Sequence, residues 1–481
     1  MPGSTATATI PSTVPPIAPT VPARWAPGGE RERAARAVID ALLAPLDRRG
    51  LRDFAVRLWD GTVLDPPGEP PPRFAAVFPD PSRLRAALLP PTASHLAEAF
   101  VAGGWEVEGD LVTATRLGDL LARARPTAAE SAALARALLR LRGRPLARPG
   151  TGRREAALAG VRHSPERDRD AIRYHYDVGN DFFALWLDRR MVYSCAYFRV
   201  PPESPAQALD EAQEAKLDLV CRKLRLSAGQ RFLDIGCGWG ALVEWAAAHH
   251  GAAAVGITNS ARMEALGAER IAAAGLGGRA RILQLDYREV GRLAAEEGPY
   301  DAVASIGMFE HVGRARMLEY FGSAYGALRP GGLFLNHGIG RLLPARDGAG
   351  GAAASSRVTE ALGRLAGHEF IDRYVFPDGE LLPIWETLLF AELAGFEVRD
   401  VESLREHYAL TLRAWVARLE ARRDEAIAAT DLRTYRTWRL FMSAAAGGFE
   451  SGAFGVYQAL LARRDGRGAV ELPLTREDVY R

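Results

Sequence analysis

Lysine is nearly absent from this chain: Lys216 and Lys223 are the only two in 481 residues. Arginine carries the remaining positive charge, a bias that reads as genomic base composition more than function. Acid and base almost cancel, with 61 Lys and Arg against 59 Asp and Glu for a formal charge of +2, so no global field advertises nucleic acid as a partner. Cysteine is scarce as well. Cys195, Cys221 and Cys237 show no C-x-x-C spacing and cannot build a disulfide framework, which points to the reducing cytoplasm. No uncharged apolar run reaches the roughly 18 to 20 residues that span a bilayer, so any lipid contact is expected to be peripheral, at the inner face of the membrane. No H-E-x-x-H or comparable ligand spacing occurs, and no catalytic metal is expected. The first 23 residues carry no charge and are rich in Pro and Thr. They lack both the basic and the apolar region of a signal peptide, so residues 1–28 read as a disordered tail.

What is present supports at least two units, since the length exceeds one usual core and 48% of the residues are hydrophobic. Residues 29–126 read as a small α+β domain. It opens with a helix over 33–43 that Pro45 stops, continues with apolar runs at 54–59 and 74–78, and ends with helices at 94–101 and 117–124. Residues 127–170 change to a dense mix of Arg, Glu and Asp and read as a linker with one short helix. Residues 171–481 form the larger unit. Within it 347–356 is a Gly/Ala-rich insertion, and 454–461 has the composition of a last sheet strand.

The most informative stretch is Phe232-Leu-Asp-Ile-Gly-Cys-Gly-Trp-Gly240. An apolar strand ends at Asp234 and enters a turn in which Gly236, Gly238 and Gly240 let a ligand approach the backbone, before a helix begins near Trp239. The spacing is neither the dinucleotide fingerprint nor a P-loop, so the expected nucleoside ligand is S-adenosylmethionine. Apolar runs at 254–257, 281–286 and 300–306 follow, alternating with helical stretches, and Arg329-Pro-Gly-Gly332 turns back into a run ending at His337. This is the pattern of an open parallel sheet with ligand loops at the carboxyl ends of its strands. Asp286 stands where such a sheet places a side chain beside adenine; a helix cap is the alternative.

Tyr174-His-Tyr-Asp-Val-Gly-Asn-Asp-Phe-Phe183 and Tyr193-Ser-Cys-Ala-Tyr-Phe198 concentrate aromatic and polar groups just before this core. Gly307-Met-Phe-Glu-His-Val-Gly313 follows the fourth apolar run and His337-Gly-Ile-Gly340 closes the fifth. With Gly256-Ile-Thr-Asn-Ser260, Tyr374-Val-Phe-Pro-Asp-Gly379 and His407-Tyr-Ala-Leu-Thr-Leu412, these segments resemble the cyclopropane-fatty-acyl-phospholipid synthase family, whose relatives act on mycolic acids. The resemblance implies a Rossmann-like class I S-adenosylmethionine methyltransferase sheet with a helical, aromatic insertion. It implies a cofactor site from Tyr193, Ser194, Asp234, Gly236, Gly238, Gly240, Thr258, Asn259, Ser260, Asp286, Tyr287 and Ile306. It also implies a bicarbonate ion acting as base, held by Cys195, Glu310, His337, Ile339 and Tyr408. Where the mycolic branch has a Trp-Glu pair, this chain has Tyr287-Arg288.

The implied reaction places a methylene group on the cis double bond of an unsaturated phospholipid acyl chain. An alkene attacks the sulfonium methyl directly and leaves a carbocation, which aromatic faces stabilise by roughly 0.5 to 2 kcal/mol each. Tyr193, Phe309, Tyr374, Phe376 and Tyr408 are candidates, with Glu310 and His337 suited to holding a base or relaying its proton. A methyl- or methylene-branched product, completed by a flavoprotein reductase, is the alternative reaction; a catalytically silent lipid-binding protein is the alternative from another class. A homodimer is left open. Arg433, Arg436 and Arg439 recur beside Tyr435, Trp438 and Phe441, a pattern that fits either anionic lipid or a solvated helix face.

Overall fold

The computed structural model describes residues 29–68, 71–90, 92–141, 143, 153–343 and 370–480. The expected tail at 1–28 and the Gly/Ala-rich insertion at 347–356 lie outside them. The chain divides into two units, and the division is not a single cut. The described part of the first unit falls within 29–155, 370–375 and 419–447; the second comprises 156–343, 376–418 and 448–480.

The first unit carries a four-stranded sheet of β1 (Ala55–Arg57), β2 (Val63–Leu64), β3 (Phe74–Val77) and β4 (Glu106–Gly109), in the order β2-β1-β3-β4. Its first helix runs Glu30–Arg48, past Pro45. Pro45 stands in the last turn, where it removes one N–H donor, and its ring is buried with Leu43 and Leu46. Residues 128–140 do not form a free linker. Helix Ala128–Arg140 begins with a Thr127/Glu130 capping box, and Glu130 pairs with Arg48 of the first helix at 2.8 Å. The row at 433, 436 and 439 also departs from expectation. Arg439 is 5% exposed and bonds Glu420 at 2.6 Å and Glu106 at 3.3 Å, Arg436 bonds Glu106 at 2.7 Å, and Arg433 lies over Tyr374. Two carboxylates and a ring take the charge that lipid would have met.

The second unit is built on β5 (Arg231–Ile235), β6 (Ala253–Thr258), β7 (Ala280–Gln284), β8 (Tyr300–Ile306), β9 (Leu328–Arg341), β10 (Glu397–Ser403) and β11 (Phe454–Ala462). They form one sheet in the order β10-β11-β9-β8-β5-β6-β7. The five strands from β7 to β9 are parallel, whereas β11 runs antiparallel to β9 and β10 antiparallel to β11. Central strands read as unbroken apolar runs because both faces are covered: Phe232, Ala302 and Leu335 belong to one core, Leu233, Val303 and Phe334 to the other. The strand order reverses between β5 and β8, whose carboxyl ends open the crevice where sheets of this kind bind ligands.

Candidate active site

At the end of β5 the chain turns through Gly236 (φ 81°), Gly238 (φ 55°) and Gly240 (φ 82°) into helix Ala241–His249. The three glycines have different reasons. A Cβ on Gly236 would sit 2.7 Å from the Met308 side chain, and one on Gly240 would strike Ile282, so these two admit neighbouring packing. A Cβ on Gly238 would meet nothing within 4 Å. Gly238 faces a cleft that Gly236, Thr258, Asn259 and Tyr287 also line. The cleft is closed from the sequence-distant side by Ile172 and Tyr176, on helix Pro165–Tyr176, and by Met308 and His311.

The other expected cofactor residues surround this cleft without lining it. Ser260 caps helix Ala261–Ala273, accepting from the Met263 N–H at 3.4 Å. Asp286 caps the turn Tyr287–Glu289 and is held by Arg288 at 3.1 Å and by the Asn259 amide at 3.2 Å. Arg288 occupies the departure from the mycolic pattern and also pairs with Asp168 at 2.6 Å, tying helix Pro165–Tyr176 to the turn after β7. Asp234 is buried with Oδ1 unpartnered, and burial pushes its carboxyl up to about 7 despite the Lys216 charge. Tyr193 lies in an aromatic cage, its ring 5.2 Å from Trp415 and 5.5 Å from both Phe183 and Trp186. Ser194 accepts a bond from Lys216 at 2.9 Å. Ile306, the last residue of β8, stands opposite His337 in the sheet register.

The turn after β8 carries Glu310 toward β9. Phe309 packs against Gly338, where any Cβ would strike the ring, and the Ile339 N–H donates to Glu310 Oε1 at 2.7 Å. Glu310 Oε2 and His337 Nε2 are buried and have no partner. Burial pushes the Glu310 carboxyl up to about 7, the Ile339 bond opposing it. Burial, reinforced by the charges of Lys216 and Lys223, holds the His337 imidazole well below its ordinary range. Tyr408 is buried, and both Cys195 and Glu310 lie close enough to raise its phenol further. The Cys195 thiol is itself raised by burial and donates to the Ala196 carbonyl at 3.2 Å, so it is no nucleophile. Cys195, Glu310, Tyr408 and the His337–Ile339 segment thus converge beside the cleft. Tyr374 belongs to the first unit, where its hydroxyl bonds Glu155 at 3.0 Å and Arg433 lies over its ring.

Residues 163–459 match the family described as mycolic acid cyclopropane synthetase. The chain belongs to this family. It is 40% identical over 428 residues, 89% of this chain and 96% of the relative, to a probable fatty acid methyltransferase of Pseudomonas putida. It is 34% identical over 289 residues, 60% of this chain and 66% of the relative, to the cyclopropane-fatty-acyl-phospholipid synthase of Escherichia coli K12. Among solved structures it resembles the cyclopropane synthase MmaA2 from Mycobacterium tuberculosis, with a TM-score of 0.54 and 32% identity over 61% of this chain and 98% of that one. The mycolic acid cyclopropane synthase CmaA1, complexed with SAH and CTAB, has a TM-score of 0.53 and 32% identity over the same shares. The larger sheet is therefore the Rossmann-like class I S-adenosylmethionine methyltransferase fold.

Sequence reasoning missed the cleft walls at Ile172, Met263 and Leu285, which carry no polar signature, and it singled out the segments that hold Tyr176 and Met308 without assigning those two to the cofactor cleft. It also missed both lysines. Each is 2% exposed or less, and each bonds a residue at or next to the site: Lys216 to Ser194, Lys223 to Gln458, which in turn contacts His337. Their rarity in a chain that otherwise uses arginine was the signal that could have found them.

Proposed function

We propose that this chain transfers a one-carbon unit from S-adenosylmethionine to the cis double bond of an unsaturated phospholipid acyl chain, forming a cyclopropane ring. The observation that carries the reading is the pair of buried, unpartnered atoms Glu310 Oε2, in the turn after β8, and His337 Nε2, within β9 opposite the last residue of β8, beside the glycine-lined cleft. Other buried atoms among the described residues also lack partners, and what sets this pair apart is that both belong to titratable groups brought to the carboxyl end of the parallel sheet, where such folds bind their ligands. The residues fit S-adenosylmethionine: Gly238 leaves open space over the backbone, Asn259 and Tyr287 supply polar groups at the wall, and Asp234 Oδ1 waits as a buried acceptor. When bound, the cofactor supplies an electrophilic methyl group to a π bond.

The chain's own part is to exclude water, tolerate a cation and place a base. The Tyr193 and Phe376 rings belong to aromatic groups around His175, and Phe309 and Tyr408 flank Glu310. Such faces favour a developing carbocation in a dry site. The residues also fit bicarbonate. A Glu310 carboxyl that keeps its proton near neutral pH donates one bond, and His337 Nε2 and the Tyr408 hydroxyl are further groups of the right kind for an oxyanion. Membrane contact is peripheral in this reading, and among the described residues no helix is long and apolar enough to cross a membrane.

The 40% identity with a probable fatty acid methyltransferase favours a second reading, in which a 1,2-hydride shift first moves the positive charge to the methyl-bearing carbon, and loss of a methyl proton then yields a methylene-branched chain that a flavoprotein reductase would saturate. Incubation with S-adenosylmethionine and vesicles of cis-monounsaturated phospholipid is expected to add one CH2 to the acyl chain. A product inert to mild hydrogenation is the ring; one that takes up hydrogen is the branched alkene. Absence of any CH2 gain would overturn both.

A further inference from the structure

His337 stands in β9 directly across from Gln458 in β11, and the Gln458 amide nitrogen lies 3.2 Å from His337 Nδ1. On its other side the Gln458 Oε1 accepts from Lys223 Nζ at 2.7 Å. Lys223 ends helix Pro205–Lys223, is 2% exposed, and also pairs with Glu402 on β10. All of these residues belong to the second unit. The chain of bonds has only one polarity. An ammonium group donates and never accepts, so the amide atom facing it must be the oxygen. The NH2 therefore faces the ring, and Nδ1 must accept from it. In a neutral imidazole one nitrogen accepts and the other carries hydrogen, so the hydrogen stands on Nε2, the atom that is buried and without a partner.

We propose that Lys223 and Gln458 are positioning residues that hold His337 as the Nε2–H tautomer, so that it presents a hydrogen-bond donor, not a base, to an oxygen ligand beside Glu310. The inference rests on the reading of Glu310 and His337 as the base site, and it sharpens that reading. His337 Nε2 cannot take the proton that the reaction releases, because it already bears one. Its role is to orient an oxygen acceptor, and the proton goes to that acceptor. The depressed imidazole range, with both lysine charges contributing, keeps the ring neutral and so keeps the tautomer meaningful at working pH.

The test uses the full chain labelled with 15N-histidine, read by long-range 1H–15N correlation at neutral pH, with His337 assigned by its disappearance in His337→Asn. The wild-type protein is expected to show Nδ1 unprotonated and Nε2 protonated. Gln458→Glu keeps the shape and the Lys223 bond but turns an acceptor toward Nδ1, and is expected to move the proton to Nδ1. Lys223→Met, which frees the amide to turn over, is expected to give a mixture. Loss of an outer partner that orients an imidazole costs about 10- to 100-fold, so turnover on unsaturated phospholipid vesicles should fall by that factor in Gln458→Glu with the Kd for S-adenosylmethionine unchanged. A proton on Nδ1 in the wild-type protein would overturn the proposal without any variant having to fold. A proton that moves as expected in Gln458→Glu while turnover stays at the wild-type rate would uphold the positioning and sink the base-site reading.

Discussion

Glu310 joins three properties that rarely coincide in a carboxylic acid: a buried side chain, one oxygen bonded to a backbone N–H, and the other left without a partner. Its ordinary value of 4.5 is pushed up to about 7 by burial. Between those limits the folded chain holds a proton that the unfolded chain has released, so this group's contribution makes the protein less stable as pH rises through the window. Glu310→Gln cannot titrate. Denaturant melts at several pH values should show a shallower fall between about pH 4.5 and about pH 7 in the variant than in the wild-type protein. Glu310→Ala, which removes both the acceptor for the Ile339 N–H and the donor beside it, should lower product formation by about 100- to 10,000-fold, the worth of a positioned acid or base, while calorimetry shows little change in binding of S-adenosylmethionine. Wild-type turnover by a folded Glu310→Ala would remove Glu310 from the chemistry.

The strand-turn-helix from β5 to Ala241–His249 shows why one motif must be read glycine by glycine. Gly236 and Gly240 are required by Met308 and Ile282, so substitutions there disturb packing and say nothing clean about a ligand. Gly238 alone faces open space in the cleft. Gly238→Val carries a left-handed strain of about 1 to 2 kcal/mol at φ 55°, which the surrounding sheet tolerates, and its side chain occupies the ligand's volume. The expected result is a folded protein that no longer binds S-adenosylmethionine in a calorimetric titration. Unchanged affinity would place the nucleoside elsewhere. The turn after β8 follows a similar logic from the other direction: Phe309 can lie on β9 only because residue 338 is glycine, and that contact delivers Glu310 to the Ile339 N–H.

Across the whole molecule, the first unit is assembled from separate parts of the chain. Glu106 of β4 pairs with Arg436 and Arg439, more than 300 residues away. Removing residues 1–126 would therefore leave a buried guanidinium, that of Arg439, with Glu420 as its remaining carboxylate. Breaking one partner of a buried ion pair is strongly destabilising. Glu106→Gln should accordingly lower unfolding stability by on the order of 3 kcal/mol, measured by denaturant unfolding. A variant as stable as the wild-type protein would show that Glu420 alone suffices for Arg439.

The larger sheet was legible in the sequence because its signals are local. Alternation of apolar runs with helical stretches, glycines at 236, 238 and 240, and the turn at 329–332 each act over a few residues, and together they specify a parallel core with its ligand loops on one side. Glu310, His337 and Tyr408 were legible for a different reason, since the order of motifs matches a known family. Local pattern could not show that Pro45 would be accommodated in a last helical turn, that residues 128–140 would dock on the first helix, or that the arginines at 433, 436 and 439 would meet Glu106, Glu420 and Tyr374. Nor could it show that the two lysines are interior. Apolar periodicity is a property of neighbours along the chain, whereas the state of a charged group depends on which carboxylate, amide or ring the fold brings within about 3 Å of it. The direction of the bonds from Lys223 through Gln458 to His337 exists only once helix Pro205–Lys223, β11 and β9 stand side by side.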